Sequence, residues 1–171
     1  MERSELEREL DRLHAESWGW ALACCARDHE SAKEALQSSY LRMLSERARF
    51  DGRSSVKTWV FGVIRMTARE EMRRRRAWAN QSLDAKAAID AVDPSPGADA
   101  LAESSERSEM LISALAAISP RQREVLQLVF YHDMTIEEAA RVMNVSLGSA
   151  RTHYERGKKA LAERLVHEDV R

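Results

Sequence analysis

The sequence is poor in residues that cross-link or interrupt a chain. Its 171 residues include only two cysteines, three prolines and six glycines, and the cysteines, Cys24 and Cys25, are adjacent. Neighbouring cysteines rarely bond to each other without strain, so the sequence offers no disulfide framework. The longest runs without charge, Ser17 to Ala26 and Met110 to Pro120, are shorter than the roughly 20 apolar residues of a membrane-spanning helix. A disulfide scaffold, a collagen-like chain and membrane insertion are therefore not expected.

The composition instead favours a globular helical protein. Apolar residues make up 44% of the chain and charged residues 32%, which is enough to bury a core in one large domain or two small ones. Alternation of β-branched and polar residues is absent, whereas Ala, Leu, Glu and Arg dominate, so the sequence predicts an all-α fold. The initial segment, MERSELEREL, lacks the apolar stretch of a signal or transit peptide, which predicts a cytoplasmic protein. The expected helices are Ser4 to Arg27, Ser31 to Arg49, Ser55 to Arg76, Ser104 to Ile118, Pro120 to Tyr131, Thr135 to Met143 and Ser146 to Val166.

Charge is distributed unevenly along the chain. Residues 81–109 contain 2 basic and 7 acidic residues, whereas residues 1–80 contain 16 basic and 13 acidic ones. The acidic segment includes Asp93-Pro94-Ser95-Pro96-Gly97, whose prolines and glycine interrupt helices. We therefore predict two small helical domains, 1–80 and 104–171, joined by a flexible acidic linker over 81–103. The acidity either keeps the chain soluble or shields a basic nucleic-acid surface, and the sequence leaves both readings open.

Segment Ser55 to Arg76 predicts an amphipathic helix with one basic face. Its apolar residues recur at the spacing of a single helix face. They are Val56, Trp59, Val60, Val63 and Ile64, continued by Thr67. The opposite face carries Arg65, Arg69, Arg73 and Arg76, which the same geometry places within about 80° of arc. One side of this helix is expected to pack, and the other to expose a row of guanidinium groups.

The arginine run Arg73 to Arg76 indicates a missing anion. Only Glu70 and Glu71 are close in sequence as counter-charges, so repulsion within the run is poorly relieved, and phosphate suits the planar fork of arginine. We expect a polyanion contact here, with a solvated helix end as the alternative. Upstream, a turn and helix N-cap set Lys57 beside Trp59. Trp59 is then either a stacking surface for an unstacked base or part of the core.

Residues 135–166 predict a helix-turn-helix. Thr135 and Glu138 fit a capping box, and a short turn follows, with Ser146 as the N-cap of a second helix. On that helix a buried stripe is expected at Ala150, Tyr154, Leu161 and Leu165. The side chains expected to point away from it are Thr152, Glu155 and Lys159, next to Gly148, with Arg151 and Arg156 on the flanks. Arginine donates to guanine and glutamate accepts from cytosine N4, so this face is suited to reading duplex DNA.

Taken together, these segments resemble the extracytoplasmic-function (ECF, group IV) sigma factors of bacterial RNA polymerase, in the sigma-70 family. The stretch from Tyr40 to Val60, followed by the arginine run, is similar to region 2 of that family. Ile118 to Leu126, followed by Thr135 to Leu161, is similar to region 4. The second stretch alone also resembles effector domains of response regulators. The specific signal is the presence of both stretches in this order with an acidic linker between them.

The resemblance implies a promoter-specificity subunit that has no catalytic residue, cofactor or metal of its own and is controlled by an anti-sigma factor. The first domain would bind the β′ clamp helices of the polymerase core and melt and read the −10 element. The second would contact the β flap and read the −35 element. The implied polymerase contacts are Glu34, Gln37, Tyr40 and Leu41. The implied −10 contacts are Arg53, Lys57, Trp59, Arg65, Arg69, Arg73 and Arg74. The implied −35 contacts are Ser149, Arg151, Thr152, Glu155, Arg156 and Lys159.

Two other classes of function stay open at the level of sequence. Residues 31–39 contain a lysine and serines where the family has carboxylates, which favours a DNA-binding regulator or a sigma-mimicking adaptor that never enters polymerase. A metal sensor or an enzyme is the remaining class. Its potential ligands are His14, Cys24, Cys25 and His29. Consecutive cysteines point about 100° apart on a helix, which does not suit one tetrahedral site.

Overall fold

The structure is a computed structural model that describes the backbone of residues 1–81 and 102–168 and the side chains of residues 1–81 and 108–166. The chain divides into two compact units, Met1–Asp93 and Pro94–Arg171. The described residues form helices and no strand, which confirms the all-α fold class. None of these described helices is long and apolar enough to cross a membrane. The predicted linker lies almost wholly outside the described residues, so the domain limits 1–80, 81–103 and 104–171 stay a prediction.

The described part of the first unit, residues 1–81, forms four helices. They are α1 (Arg3–Arg12), α2 (His14–Cys24), α3 (His29–Leu44) and α4 (Val56–Gln81). The single helix expected over Ser4 to Arg27 is instead two helices, separated at Leu13, which is fully buried. Helical hydrogen bonds continue on both sides of the break, from the Leu13 N–H to the Glu9 carbonyl at 3.0 Å and from the Ser17 N–H to the Leu13 carbonyl at 2.8 Å. The interruption is therefore confined to one residue.

Two aromatic side chains lie at the centre of the first core. Trp20 on α2 and Phe61 on α4 are fully buried and stack with their planes 5° apart and their centroids 5.9 Å apart. Trp20 Nε1 donates a hydrogen bond of 3.0 Å to the Phe61 carbonyl, which satisfies the one polar atom of the indole. Helix α3 packs against both α2 and α4. Helix α4 is thus packed against two other helices, which fixes the direction in which its exposed face points.

The second unit contains α5 (Ala102–Ala116), α6 (Pro120–Leu126), α7 (Ile136–Met143) and α8 (Leu147–Glu168). The helix expected over Pro120 to Tyr131 ends in a π-helical turn at Gln127–Tyr131. Arg123 on α6 donates hydrogen bonds to three carbonyls at the end of α5. They are those of Leu115, Ala116 and Ile118, at 2.8, 3.0 and 3.3 Å. The guanidinium therefore satisfies backbone groups that a helix end leaves without partners and joins the two helices.

The predicted helix-turn-helix is formed by α7 and α8. Its capping box is confirmed, since Thr135 Oγ1 accepts from the Glu138 N–H at 3.1 Å and Glu138 accepts from the Thr135 N–H at 2.9 Å. Helix α7 ends at Asn144, whose φ of 54° lies in the left-handed region that asparagine tolerates. Ser146 Oγ accepts from the Ser149 N–H at 3.1 Å, as predicted for the N-cap of α8. These local hydrogen bonds fix the conformation of the turn between α7 and α8.

Candidate nucleic-acid interface

The turn before α4 brings an aromatic pair to the edge of a groove. Ser55 Oγ accepts from the Thr58 N–H at 3.1 Å, which confirms the predicted N-cap. The rings of Phe50 and Trp59 lie 5.4 Å apart, and both border a groove of about 440 Å³ that Met43 also lines. Trp59 is only partly buried. It therefore packs on the core side against Phe50 while remaining reachable from outside, so neither of its two sequence interpretations is excluded.

The two basic residues flanking Trp59 have different environments. The Arg53 side chain is 88% exposed, with its guanidinium 3.6 Å from Asp51. Lys57 is only 25% exposed because its ammonium pairs with Glu16 on α2 and lies 5.7 Å from the centre of the Phe61 ring. The structure therefore places Lys57 between α2 and α4, while Arg53 extends from the turn.

The basic face of α4 is narrower than its sequence predicts. Arg69, Arg73 and Arg76 are exposed as expected. The expected exposure of Arg65 is wrong, since only 6% of this residue is exposed. Helices α2 and α3 both pack against α4, and the buried arc of α4 takes in polar positions such as Thr58 and Arg65 as well as the apolar ones. The row of exposed arginines therefore begins at Arg69.

The arginine run also has more counter-charges than its neighbours in sequence supply. Arg75 contacts Glu34 at 2.9 Å and Asp28 at 3.4 Å, both from the α3 side, and Glu71 on its own helix at 3.3 Å. Arg74 pairs with Glu71 as well, and Glu70 pairs with Arg42 on α3. The inference that four unrelieved charges adjoin one another is thus wrong for Arg74 and Arg75. Within the described part of the chain, no carboxylate lies within ion-pair distance of the exposed Arg73 and Arg76.

These contacts change the acidity of the carboxyl groups on α3. Hydrogen bonds from Ser31, and then the charge of Arg75, hold the pKa of Asp28 below its usual value. The Arg75 guanidinium, which donates to Glu34, lowers the pKa of that carboxyl too. The same carboxylates raise the pKa of Arg75, Glu34 most of all. All three groups therefore stay charged at neutral pH, which keeps the ion pairs intact.

The outward side of α3 carries the residues implied in polymerase binding. Gln37 is exposed, and Leu41 is 60% exposed. Glu34 is held by Arg75. Tyr40 is half-buried with its hydroxyl 3.1 Å from His14 Nδ1, and burial raises the pKa of the phenol. The four residues thus form a surface with a fixed carboxylate at one end and an exposed leucine at the other.

The unusual serines of residues 31–39 have little effect on that surface. Ser31 and Ser39 are buried, and Ser39 Oγ donates to the Ala35 carbonyl at 2.6 Å. Ser31 is hydrogen-bonded to Asp28, which caps α3. Among the remaining substituted positions, Lys33 is exposed and Ser38 is half-buried. The departure from the family pattern is therefore smaller on the surface than it is in the sequence.

In the second unit, α8 presents the predicted outward face. All the residues implied in −35 contacts are exposed. They are Ser149, Arg151, Thr152, Glu155, Arg156 and Lys159. Thr152 Oγ1 donates to the Gly148 carbonyl at 3.0 Å, and Lys158 pairs with Glu155 at 3.2 Å. A helix face that mixes arginine, threonine and glutamate offers both donors and acceptors to base edges in the major groove.

Two features of the second unit were not found from the sequence. Gly157 is buried where α8 crosses α6, and a Cβ there would lie 3.2 Å from the Gln122 Cβ and from a Leu126 methyl group. A lone glycine inside a helical pattern was the available signal for such a close approach. The π-helical turn leaves Phe130 and Tyr131 exposed, and the Phe130 ring stacks 5.8 Å from Tyr154. No feature of the sequence pattern indicated this turn.

The candidate metal ligands do not converge. Among the described residues, no group of three or more His, Cys, Asp or Glu side chains is placed to hold a metal ion. His14 contacts Tyr40, whereas His29 lies beside the Trp18 ring at 5.9 Å. Cys25 is buried, and burial raises the pKa of its thiol to about 11, so it stays protonated. Cys25 takes part in the packing of the first unit, whereas His14 and His29 are exposed.

Comparison with known proteins supports the interpretation of both units. Residues 10–78 match the family described as Sigma-70 region 2, and residues 108–161 match Sigma-70, region 4. The chain is 29% identical to the ECF RNA polymerase sigma factor SigX of Bacillus subtilis (strain 168), over 85% of this chain and 79% of that protein. It is 27% identical to the RNA polymerase sigma factor CarQ of Myxococcus xanthus, over 92% of this chain and 87% of that one.

Solved structures share the fold. The sigma factor RpoE, in complex with the anti-sigma factor NepR from Bartonella quintana, is similar with a TM-score of 0.73 at 20% identity, covering 94% of this chain and 96% of that one. CnrH, in complex with the cytosolic domain of CnrY, has a TM-score of 0.66 at 16% identity, covering 97% and 90%. Matches to both sigma regions, together with similarity to proteins named as sigma factors over most of the chain, identify the family. The chain belongs to the sigma-70 family of RNA polymerase sigma factors, within its extracytoplasmic-function group.

Proposed function

We propose that this sigma factor divides promoter recognition between its two units, the first binding the −10 element as separated strands and the second binding the −35 element as duplex. The observation that carries the proposal is the presence of an exposed, basic helix face on each unit, on α4 and on α8. The matched family regions support the assignment of one face to each element.

The α8 face supports direct reading of base edges. We expect Arg151 to donate to guanine, Glu155 to accept from cytosine N4, and Thr152 to bond with either type of group. Arg156, Lys159 and Ser149 lie on the same exposed side, where phosphates flank the major groove. Direct base contacts of this kind require intact duplex, because they use the groove that pairing creates.

The first unit supports binding of opened strands. Phe50 and Trp59 offer aromatic surface beside a groove, and stacking of a base on an aromatic ring contributes about 1–3 kcal/mol, which offsets the cost of unpairing. Arg53, Arg69, Arg73 and Arg74 supply positive charge for the backbone of that strand. Lys57 and Arg65 are the least exposed of the proposed −10 residues. Their side chains would have to exchange their present contacts within the protein for contacts with DNA.

Both units also need protein partners. We propose that α3 binds the β′ clamp helices of the polymerase core through Glu34, Gln37, Tyr40 and Leu41, and that the second unit contacts the β flap. An anti-sigma factor is a further proposed partner, because the similar structures of RpoE and CnrH contain NepR and the cytosolic domain of CnrY. Such a partner would control access to polymerase and promoter.

The proposed role involves no chemistry by this chain. Members of the family are transcription initiation factors, so bond formation belongs to the polymerase core and the sigma factor supplies recognition and strand opening. Because its proposed partner is bacterial RNA polymerase, we propose that the protein acts in the cytoplasm.

Reconstitution with polymerase core tests this function. The purified chain is mixed with core enzyme and fragments of genomic DNA, and transcripts are sequenced to find their start sites. We expect promoter-dependent transcripts that are absent from core alone and that share two upstream elements. Duplex binding by the chain without any recovery of the polymerase β′ subunit would instead support a regulator or adaptor.

A further inference from the structure

The four arginines of the run at residues 73–76 occupy two kinds of environment. Arg73 and Arg76 are exposed, with no carboxylate within ion-pair distance among the described residues. Arg75 points instead toward α3, where its guanidinium meets Glu34 at 2.9 Å and Asp28 at 3.4 Å, and it also contacts Glu71 at 3.3 Å. The side chains of this arginine run therefore differ in whether they are paired with carboxylates.

The Arg75 contacts join structural features that are distant in sequence. Asp28 caps the amino end of α3, where the Ser31 N–H donates to it at 3.2 Å. Glu34 lies nearly two turns further along the same helix, next to the proposed polymerase surface. Glu71 is largely buried on α4. A single guanidinium therefore ties the cap and the second turn of α3 to α4.

The surroundings of Arg75 are unfavourable for phosphate. Three carboxylates, those of Asp28, Glu34 and Glu71, lie around it, whereas Arg74 is the one other cation paired with this group. The cluster is net negative, so a phosphate approaching it meets repulsion and would have to displace existing ion pairs. A phosphate that binds Arg73 or Arg76 would not have to displace an ion pair among the described residues.

From this geometry we infer that Arg75 is a positioning residue for polymerase binding, which holds Glu34 and the amino-terminal half of α3 in place, and that it does not bind DNA. The inference rests on the proposed use of α3 as the polymerase-binding surface. It divides the arginine run by role: the exposed Arg73, Arg74 and Arg76 contact DNA phosphate, and the half-buried Arg75 acts through Glu34 on the partner protein.

Two binding measurements on the full-length chain separate these roles. The first is the Kd for polymerase core without DNA, and the second is the salt dependence of binding to a mixed-sequence single-stranded oligonucleotide. Arg75→Gln should weaken core binding by about fivefold or more, because coupled contacts are lost, and leave the salt slope unchanged. Arg76→Gln should lower the salt slope by about 0.7, the contribution of one phosphate contact, and leave the Kd for core unchanged.

Two further variants act as controls. Arg12→Gln removes an exposed arginine that pairs only within α1, with Glu9 at 2.6 Å, and should change neither measurement. Arg75→Lys keeps the charge without the planar fork, so it should recover part of the lost core affinity. It also serves as the test if Arg75→Gln fails to fold, because any loss of core affinity must then appear in the lysine variant.

The outcomes distinguish this inference from the proposed function. If the wild-type chain does not bind core at all, the proposed function fails. If the wild type binds core and Arg75→Gln binds equally well, or if Arg75→Gln lowers the salt slope as Arg76→Gln does, the positioning role of Arg75 is wrong. A loss of core affinity with an unchanged salt slope supports it.

Discussion

Helices α4 and α8 both present basic faces, but only α8 follows the simple pattern of one packed side and one exposed side. On α8 every residue expected to face outward is exposed, and the packed side meets α6 through Gly157. On α4, Arg65 is buried and Arg75 is bound to carboxylates from the α3 side. The difference at Arg75 arises because the helix packed against α4, α3, supplies carboxylates that reach its basic side. A basic residue on a central helix can therefore serve the fold as well as the ligand.

The largest expected effect comes from the core that holds α4. Trp20→Ala removes a fully buried indole that stacks on Phe61, so we expect the first unit to lose about 3–5 kcal/mol of unfolding free energy. Unfolding followed by tryptophan fluorescence and by circular dichroism measures this loss. Duplex binding through α8 should persist, because the second unit has its own core. Simultaneous loss of duplex binding would show that the two faces are not independent.

The next effect tests how α8 is held. Gly157→Ala introduces a Cβ 3.2 Å from Leu126 and Gln122, so we expect a destabilisation of about 1–3 kcal/mol, since these packed side chains must give way to make room for it. Gly148→Ala is the matched control, because its Cβ would meet only Ser146 Oγ at 4.0 Å. That change should stabilise the helix by up to about 1 kcal/mol. Thermal unfolding compares the two variants, and equal effects would contradict the described contact.

On the exposed side of α8, base-reading and phosphate-binding roles should separate. Arg151→Ala should cost roughly 1–3 kcal/mol of binding and relax the preference at one position of the −35 element. Arg156→Ala should weaken binding to all sequences about equally and reduce the salt slope. Binding to a set of −35 duplexes with single base changes measures both. An unchanged sequence preference in Arg151→Ala would remove Arg151 from the base-reading residues.

The smallest expected effect concerns the pH dependence of the α4 contacts. Asp28 and Glu34 have lowered pKa values in the folded protein, so their contribution is present at neutral pH and is lost as the pH falls through the folded values. Arg75→Gln should therefore reduce stability by about 0.5–1 kcal/mol at neutral pH, and the gap to the wild type should close below about pH 4. Urea unfolding at several pH values measures the gap, and a gap that widened in acid would contradict the assigned pairs.

Local sequence signals were sufficient to predict much of the fold and the proposed DNA-binding face of α8. The capping box at Thr135 and the N-cap at Ser146 involve residues only three positions apart, so their spacing alone predicted them. The exposed face of α8 followed from helical periodicity, since every residue expected to face outward is exposed. The break at Leu13 and the π-helical turn after α6 carried no comparable local signal.

The environments of Arg65 and Arg75 depend on distant partners and were therefore not predictable from periodicity. Arg75 meets Asp28 across 47 positions and Glu34 across 41 positions of sequence. Periodicity on α4 indicates which side is apolar, but it cannot show how wide an arc the neighbouring helices cover. The same limit applies to Lys57, whose partner Glu16 lies on α2.

Transcription with purified polymerase core is the most direct test of the central claim that one promoter is read by both units. On a promoter identified by start-site mapping, the account predicts initiation that requires both elements. Arg151→Ala should impair use of the −35 element, and Arg73→Gln should impair opening at the −10 element. Transcription that needs only one of the two elements, or a core enzyme whose start sites do not change when the chain is added, would contradict the account.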